Sequence, residues 1–305
     1  MTATSVLSDD LVTDAVEFVE RLRRIPWSAR RFAADTVQAR REFGLAGPIL
    51  DAVCSAGLPR FTRDDEMLFD VLDLMNLGLH LRLRGPHLGA MRFWGALLDR
   101  PLGQDRTYEI NYNPICPVPG HVPDCEFLLR TPDETAVRVR RPASADGTVH
   151  TAVVRLRNDW PDAPVPVREL IEEITHIQQV RLPEIPRWDT CFALGSGIAD
   201  CAGVARLLAE RGRARGLAVR LRYGLIVAPP YSMQHFWAEF LVEERWVPYQ
   251  PGLVNALVRW GVVASDRWPA HRSPGAILVG LSSQVARAAT HHSFNVCMSF
   301  PTRLI

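Results

Sequence analysis

The stretch Asp200–Cys201–Ala202–Gly203–Val204–Ala205–Arg206–Leu207–Leu208 decides how the rest of this chain is read. Gly195–Ser196–Gly197 leads into it, and Val204, Ala205 and Leu208 follow the cysteine at the spacings of a buried helical stripe. A helix is therefore expected to open at Cys201. A thiol at that place faces the positive end of the helix dipole, which favours the thiolate. Downstream come His235–Phe236–Trp237–Ala238–Glu239–Phe240 and Trp246–Val247–Pro248–Tyr249–Gln250–Pro251, separated by the acidic pair Glu243–Glu244. Alternation over Gln234–Val242 and Arg245–Tyr249 reads as two strands joined by a tight turn. An odd separation across an even-residue turn puts His235 and Gln250 on one face, together with Trp237, Glu239 and Leu241. The three pieces read as a nucleophile, a base and an orienting amide. The imidazole takes the thiol proton, and its other nitrogen donates to the amide oxygen.

Composition narrows the classes. The chain has 305 residues, a hydrophobic fraction of 47% and a net charge of +1, so it can build a sizeable core and lacks the basic excess of a nucleic-acid binder. No apolar run is long enough to span a membrane, and Met1–Asp10 lacks the layout of a secretion signal. A cytoplasmic enzyme is the expectation. All 35 basic residues are arginine. Without lysine there is no phosphate-binding loop lysine, no pyridoxal Schiff base, no protein-kinase site and no Ser–Lys dyad. The absence also fits a GC-rich coding genome. The cysteines Cys54, Cys116, Cys125, Cys191, Cys201 and Cys297 form no Cys-x-x-Cys pair, and free thiols are expected.

The periodicity predicts an α+β fold: a helical region over residues 1–103, then a catalytic domain over 104–305 with an antiparallel sheet packed on the cysteine helix. Helices are expected from Asp9 or Asp10 to Pro26, from Trp27 to Phe43, over Ile49–Ala56, from Thr62 through Leu79, and over His87–Leu98. Ala136–Arg140 and Thr151–Arg157 alternate and are expected to pair as a hairpin. Val167–Val180 reads as a helix, Leu217–Ala228 as a strand, and Ser282–Ala289 as a further helix in a weakly patterned C-terminal segment.

Other constellations are weaker. Cys116-x4-His121-x3-Cys125 supplies three zinc-type ligands in a proline-rich loop, but the fourth is missing and His291–His292 has no partner pattern, so neither metal nor other cofactor is expected. Glu173-x-x-His176 is half of a di-metal motif without its second copy and reads as a solvated helix face. Arg206, Arg211, Arg213, Arg215, Arg220 and Arg222 form a basic patch, either solvated helix-end charges or a dock for an acidic carrier protein. The Cys201 backbone N–H is a natural oxyanion donor, with Gln178, Gln179 or Trp188 as the second. Trp237, Tyr231, Phe236 and Trp246 are candidates to wall the cleft, with core packing as their other role.

A glycine-rich lead, Asp–Cys, a small-residue helix, a strand, His-x-Trp-x-Glu and Trp-Val-Pro-x-x-Pro, in this order over residues 195–252, resemble the core of the transglutaminase-like superfamily. The resemblance implies a papain-like fold with Cys201 as nucleophile and His235 as base. Where that family usually carries an Asp–Pro dipeptide, this chain has Gln250–Pro251. The implied activity is acyl transfer through a Cys201 thioester. The favoured form joins an acyl donor, free or carried on a protein, to an amine, as the amide-forming homologues of bacterial natural-product pathways do. Trp237, Tyr231 and Trp188 are then the substrate-contacting residues. A cysteine peptidase or amidase is the alternative, and an inert binding module is a third reading because Gln250 replaces the acid.

Overall fold

The computed structural model describes residues 9–118, 121, 123–132, 134–143, 145–282 and 287–305. Two compact units divide the chain, and each is assembled from separated pieces. The first comprises Met1–Gly95, Ile174–Val204 and Gly252–Pro269; the second comprises Ala96–Glu173, Ala205–Pro251 and Ala270–Ile305. Helices and antiparallel sheet make the chain α+β, as expected.

The first unit is mainly helical, around a core of Phe18, Leu22, Phe43, Val53, Phe69, Leu74, Leu77, Val180, Leu182 and Ile198. Its opening helix, Asp9–Leu22, lies where the periodicity placed it. The helix expected over Trp27–Phe43 is instead three pieces: a 3-10 turn Trp27–Ala29, a strand Phe32–Ala34 and a helix Thr36–Phe43. The reason is Asp35. Its carboxylate accepts from the Gln38 backbone N–H at 2.7 Å, and the Gln38 side chain answers to the Asp35 N–H, so this residue starts a helix rather than continuing one. Gly44, at φ 75°, closes it.

The helix expected from Thr62 is also corrected. Arg60–Arg63 and Glu66–Asp70 pair as a hairpin, turned by Asp64 and Asp65 at φ 51° and 63°. The helix begins only at Val71, capped by Asp70, whose carboxylate accepts from the N–H groups of Leu72 and Asp73 at 2.8 and 3.2 Å. Beneath it Arg30 and Asp73 form a buried ion pair at 2.8 Å, and the same guanidinium donates to the Leu22 and Ile25 carbonyls. The expected Val167–Val180 helix stops at Glu172, and Gln178–Gln179 is extended, pairing in parallel with Ile198–Ala199. That short pairing delivers the chain to Asp200 and Cys201.

The second unit carries a curled antiparallel sheet of seven strands. Its order is Leu278–Ser282, Val219–Ile226, Tyr231–Val242, Cys297–Leu304, Arg106–Ile115 and His150–Leu156, with Arg245–Tyr249 added beside Tyr231–Val242. A second sheet orders Phe294–Asn295, Ala289–His291, Asp124–Arg130 and Ala136–Pro142. The expected hairpin of Ala136–Arg140 with Thr151–Arg157 is therefore not formed. Ala136–Pro142 pairs with Asp124–Arg130, whereas His150–Leu156 pairs with Arg106–Ile115 in the other sheet. Tyr108, Ile110, Tyr112, Phe127, Leu129, Tyr223, Leu225 and Phe300 pack between these strands. Half of the helix expected over Ser282–Ala289 falls on residues outside those described; Ser282 ends one strand and Ala289 begins another. No described helix is long and apolar enough to cross a membrane.

Candidate active site

Cys201 is the first residue of the helix Cys201–Ala214 and is 8% exposed. Its opening turn is built by Asp200. That carboxylate accepts from the Ala202 N–H at 3.2 Å, as a helix cap should, and from the Leu182 N–H at 3.4 Å. It also accepts the Cys201 thiol at 3.0 Å. Asp200 is thus both the cap and the direct neighbour of the sulfur.

The sequence reading did not single out Arg187. This residue ends the short helix Glu184–Arg187, and its Nε lies 3.5 Å from Asp200 Oδ1, an ion pair longer than a good hydrogen bond. Burial opposes the charge of the guanidinium, yet Asp200, then Cys201 and Glu184, hold its pKa above the ordinary arginine range. The attraction between Arg187 and a Cys201 thiolate is mutual, whereas the nearer Asp200 carboxylate, at 3.0 Å, holds the thiol form. Gly203 makes room for Arg187: a Cβ there would stand 3.0 Å from the Arg187 carbonyl oxygen. The sequence clue was a glycine two residues into a helix, where alanine is the better helix former.

His235 and Gln250 belong to the second unit: His235 is on the strand Tyr231–Val242, and Gln250 directly follows its partner strand Arg245–Tyr249. Glu243 and Glu244 adopt φ 48° and 65°, the left-handed pair of a two-residue turn, which fixes the register Ala238 opposite Tyr249. Continued by one residue, that register sets Gln250 opposite Trp237, on the face that also carries His235. Both His235 and Gln250 are buried. The Gln250 Nε2 donates to the Phe236 carbonyl at 2.9 Å, which fixes the amide orientation and leaves Oε1 as the end that can accept from an imidazole N–H.

Beside them runs a ladder set by the pairing of Val219–Ile226 with Tyr231–Val242: Gly224 faces His235, Arg222 faces Trp237 and Arg220 faces Glu239. Gly224 is bare because a Cβ would lie 2.5 Å from the Trp237 ring and 2.0 Å from the Val279 carbonyl oxygen. The Trp237 indole donates to Glu239 at 3.0 Å, and Glu239 pairs with Arg220 at 2.7 Å and Arg222 at 3.4 Å. Trp237 is therefore a packed core residue whose polar edge is engaged. Tyr231, by contrast, is 58% exposed. Trp188 is half-buried directly after Arg187.

Among the oxyanion candidates, the Gln178 side chain is engaged by Arg21 at 2.8 Å and by His80 at 3.2 Å. Gln179 pairs in register with Ala199, on the strand that leads into Asp200 and Cys201, and its Oε1 is buried. The arginine patch is largely neutralised within the second unit: Arg206 pairs with Glu210, Arg211 and Arg215 with Glu173, and Arg222 with Glu134 as well as Glu239. Glu173 is held by arginines rather than offered to a metal beside His176. The Cys116–His121–Cys125 trio does gain a neighbour, because His291 stands beside it.

Residues 170–251, which include Cys201, His235 and Gln250, match the family model described as the transglutaminase-like superfamily, so this stretch is similar to that superfamily's core. No curated protein sequence matches the chain. A solved structure from Cytophaga hutchinsonii, described as a candidate cysteine protease, is similar at 11% identity and a TM-score of 0.35, over 66% of this chain and 88% of that one.

Proposed function

We propose that the chain is a cysteine acyltransferase in which Cys201 is the nucleophile, His235 its base and Gln250 the orienting group. The observation that carries this reading is the setting of Cys201. It heads a helix inside the transglutaminase-like stretch, with its thiol on Asp200 and a partly buried guanidinium behind that carboxylate. Cysteine enzymes, transferases or proteases, are the usual members of that superfamily. The helix N-terminus and the cation favour the thiolate that such chemistry needs and offset the Asp200 carboxylate, which holds the resting thiol.

The proposed cycle begins when the sulfur attacks the carbonyl carbon of an acyl thioester. The S–C bond forms, the thiol proton passes to His235, and the departing thiol leaves with that proton. An amine then attacks the Cys201 thioester, His235 accepts its proton, and the amide leaves as the Cys201 thiol is restored. The Cys201 N–H stabilises the oxyanion in both halves. The acyl donor is a small thioester. The arginines that would dock an acidic carrier protein are mostly paired with this chain's own carboxylates.

The test is incubation with a panel of acyl thioesters, with and without primary amines, followed by intact-protein and small-molecule mass spectrometry. An acyl adduct on Cys201 and an amide product are expected. Free acid released at the same rate with excess amine makes the chain a hydrolase. No adduct on Cys201 across the panel overturns the enzymatic reading and leaves an inert binding module.

A further inference from the structure

Cys116, His121, Cys125 and His291 bring one ligand atom each to within 4.8 Å of one another. From these four residues we infer a structural zinc site of Cys2His2 type in the second unit.

Asp124–Arg130 pairs with Ala289–His291 in the register Leu128 to Thr290 and Leu129 to Ala289. Continued by one step, that register sets His291 opposite Phe127, and alternation returns the same face at Cys125. The pairing therefore joins the cysteine loop to a histidine far along the chain. Cys125 and His291 are fully buried, and Cys116 and His121 are half-buried.

The lone pairs converge. His291 Nδ1 lies 2.7 Å from the Glu126 carbonyl oxygen, which can only accept, so the proton sits on Nδ1 and Nε2 presents a lone pair. That Nε2 is 3.1 Å from His121 Nδ1, which is itself 3.4 Å from Cys125 Sγ and 3.7 Å from Cys116 Sγ. One proton on His121 Nδ1 could serve only one of these three neighbours. A tetrahedral zinc, with Zn–S about 2.3 Å and Zn–N about 2.0 Å, sets S···N edges of about 3.5 Å and an N···N edge of about 3.3 Å. The two S···N separations lie on either side of 3.5 Å, and the N···N separation is about 0.2 Å below its edge.

Charge and surroundings agree with a divalent ion. Two thiolates and two neutral imidazoles balance it, so a buried site ends neutral. The Nδ1–H of His291 on a backbone carbonyl is the outer contact that metal-bound histidines normally make. Arg141, paired opposite Cys125, reaches the Pro114 and Gly147 carbonyls and so braces the loop from the other side. Two sulfurs and two nitrogens select zinc among common divalent ions. Four protein ligands fill the sphere, so the ion is a staple between the loop and two strands and takes no part in the Cys201 chemistry.

The full chain, purified without chelator, should carry about one zinc per molecule by plasma mass spectrometry. The double variant Cys116→Ser, His291→Gln should lose it, while Cys191→Ser, Cys297→Ser at exposed positions should retain it. If the first variant does not fold, the wild-type protein decides. After chelation under reducing conditions, one equivalent of cobalt should give the intense visible bands of a tetrahedral thiolate site, and zinc should bleach them. Zinc should also protect Cys116 and Cys125 from alkylation, read by peptide mass. Absence of both zinc and the cobalt spectrum overturns the site, as does a Cys116–Cys125 disulfide in freshly purified protein or metal retained unchanged by the double variant.

Discussion

Replacing Arg187 by Gln isolates the electrostatic part of the proposed nucleophile. Arg187 Nε lies 3.5 Å from Asp200 Oδ1, which is 3.0 Å from the Cys201 sulfur, so the guanidinium stands within roughly 6.5 Å of the thiolate. At an effective dielectric of about 20, an attraction over that distance is worth about 2.5 kcal/mol. The Arg187 side chain is 27% exposed, so water takes part of this, and about 1.4 kcal/mol is the working figure. Loss of the cation also leaves the Asp200 carboxylate unopposed beside the sulfur, which disfavours the thiolate further. Both effects have one sign. The pH midpoint of Cys201 alkylation should rise by about one pH unit, and the rate at pH 7 should fall about tenfold. The assay is iodoacetamide labelling across pH, read peptide by peptide, with exposed Cys191 and Cys297 as references in the same tube. Arg187→Lys keeps the charge and should recover most of the rate. A Gln variant whose Cys201 profile overlays the wild type would refute the reasoning, because the helix terminus alone would then account for the reactivity.

Three further outcomes follow from the same contacts. Gln250→Glu should lower the thermal midpoint and slow any acyl-transfer reaction, because a carboxylate in place of Nε2 repels the Phe236 carbonyl at a cost of about 1–3 kcal/mol; Gln250→Asp should behave likewise, and a faster or more stable Asp variant would show that the amide is not fitted to its place. Gly224→Ala forces a methyl against the Trp237 ring and into the Val279 carbonyl, which cannot yield without breaking strand pairing. A cost of about 3 kcal/mol, or a midpoint lower by about 6–10 °C, is expected by calorimetry. His80 is held below its ordinary pKa by burial, which outweighs the pull of Asp14. The unfolded chain then binds the proton more tightly, so this contribution is complete above pH of about 6.5 and is lost as pH falls. The midpoint of the wild type should therefore drop more steeply between about pH 7.5 and 5.5 than that of His80→Phe, whose ring keeps the stack on Phe18; parallel curves would sink this assignment.

The elements legible in the sequence are those whose determinants lie within a turn or a hairpin. The helix at Cys201 follows from its cap and stripe, and the face shared by His235 and Gln250 follows from a two-residue turn between alternating runs. Asp35 and Asp70 were readable in principle, since each caps a helix through neighbours two or three residues away. What tertiary structure alone decided is partnership over long separations. Ala136–Pro142 and His150–Leu156 alternate alike, and only the burial of Phe127 and Leu129 on one side, and of Tyr108 and Ile110 on the other, assigns them to different sheets. Arg187 reaches Asp200 because a bare Gly203 lets its backbone approach, and His291 reaches Cys125 through a strand pair with no echo in local spacing. Capping and periodicity act along the chain, whereas charge pairing and ligand convergence act across space, so the place of Cys201 at a helix start could be read from its neighbours but the arginine behind it could not.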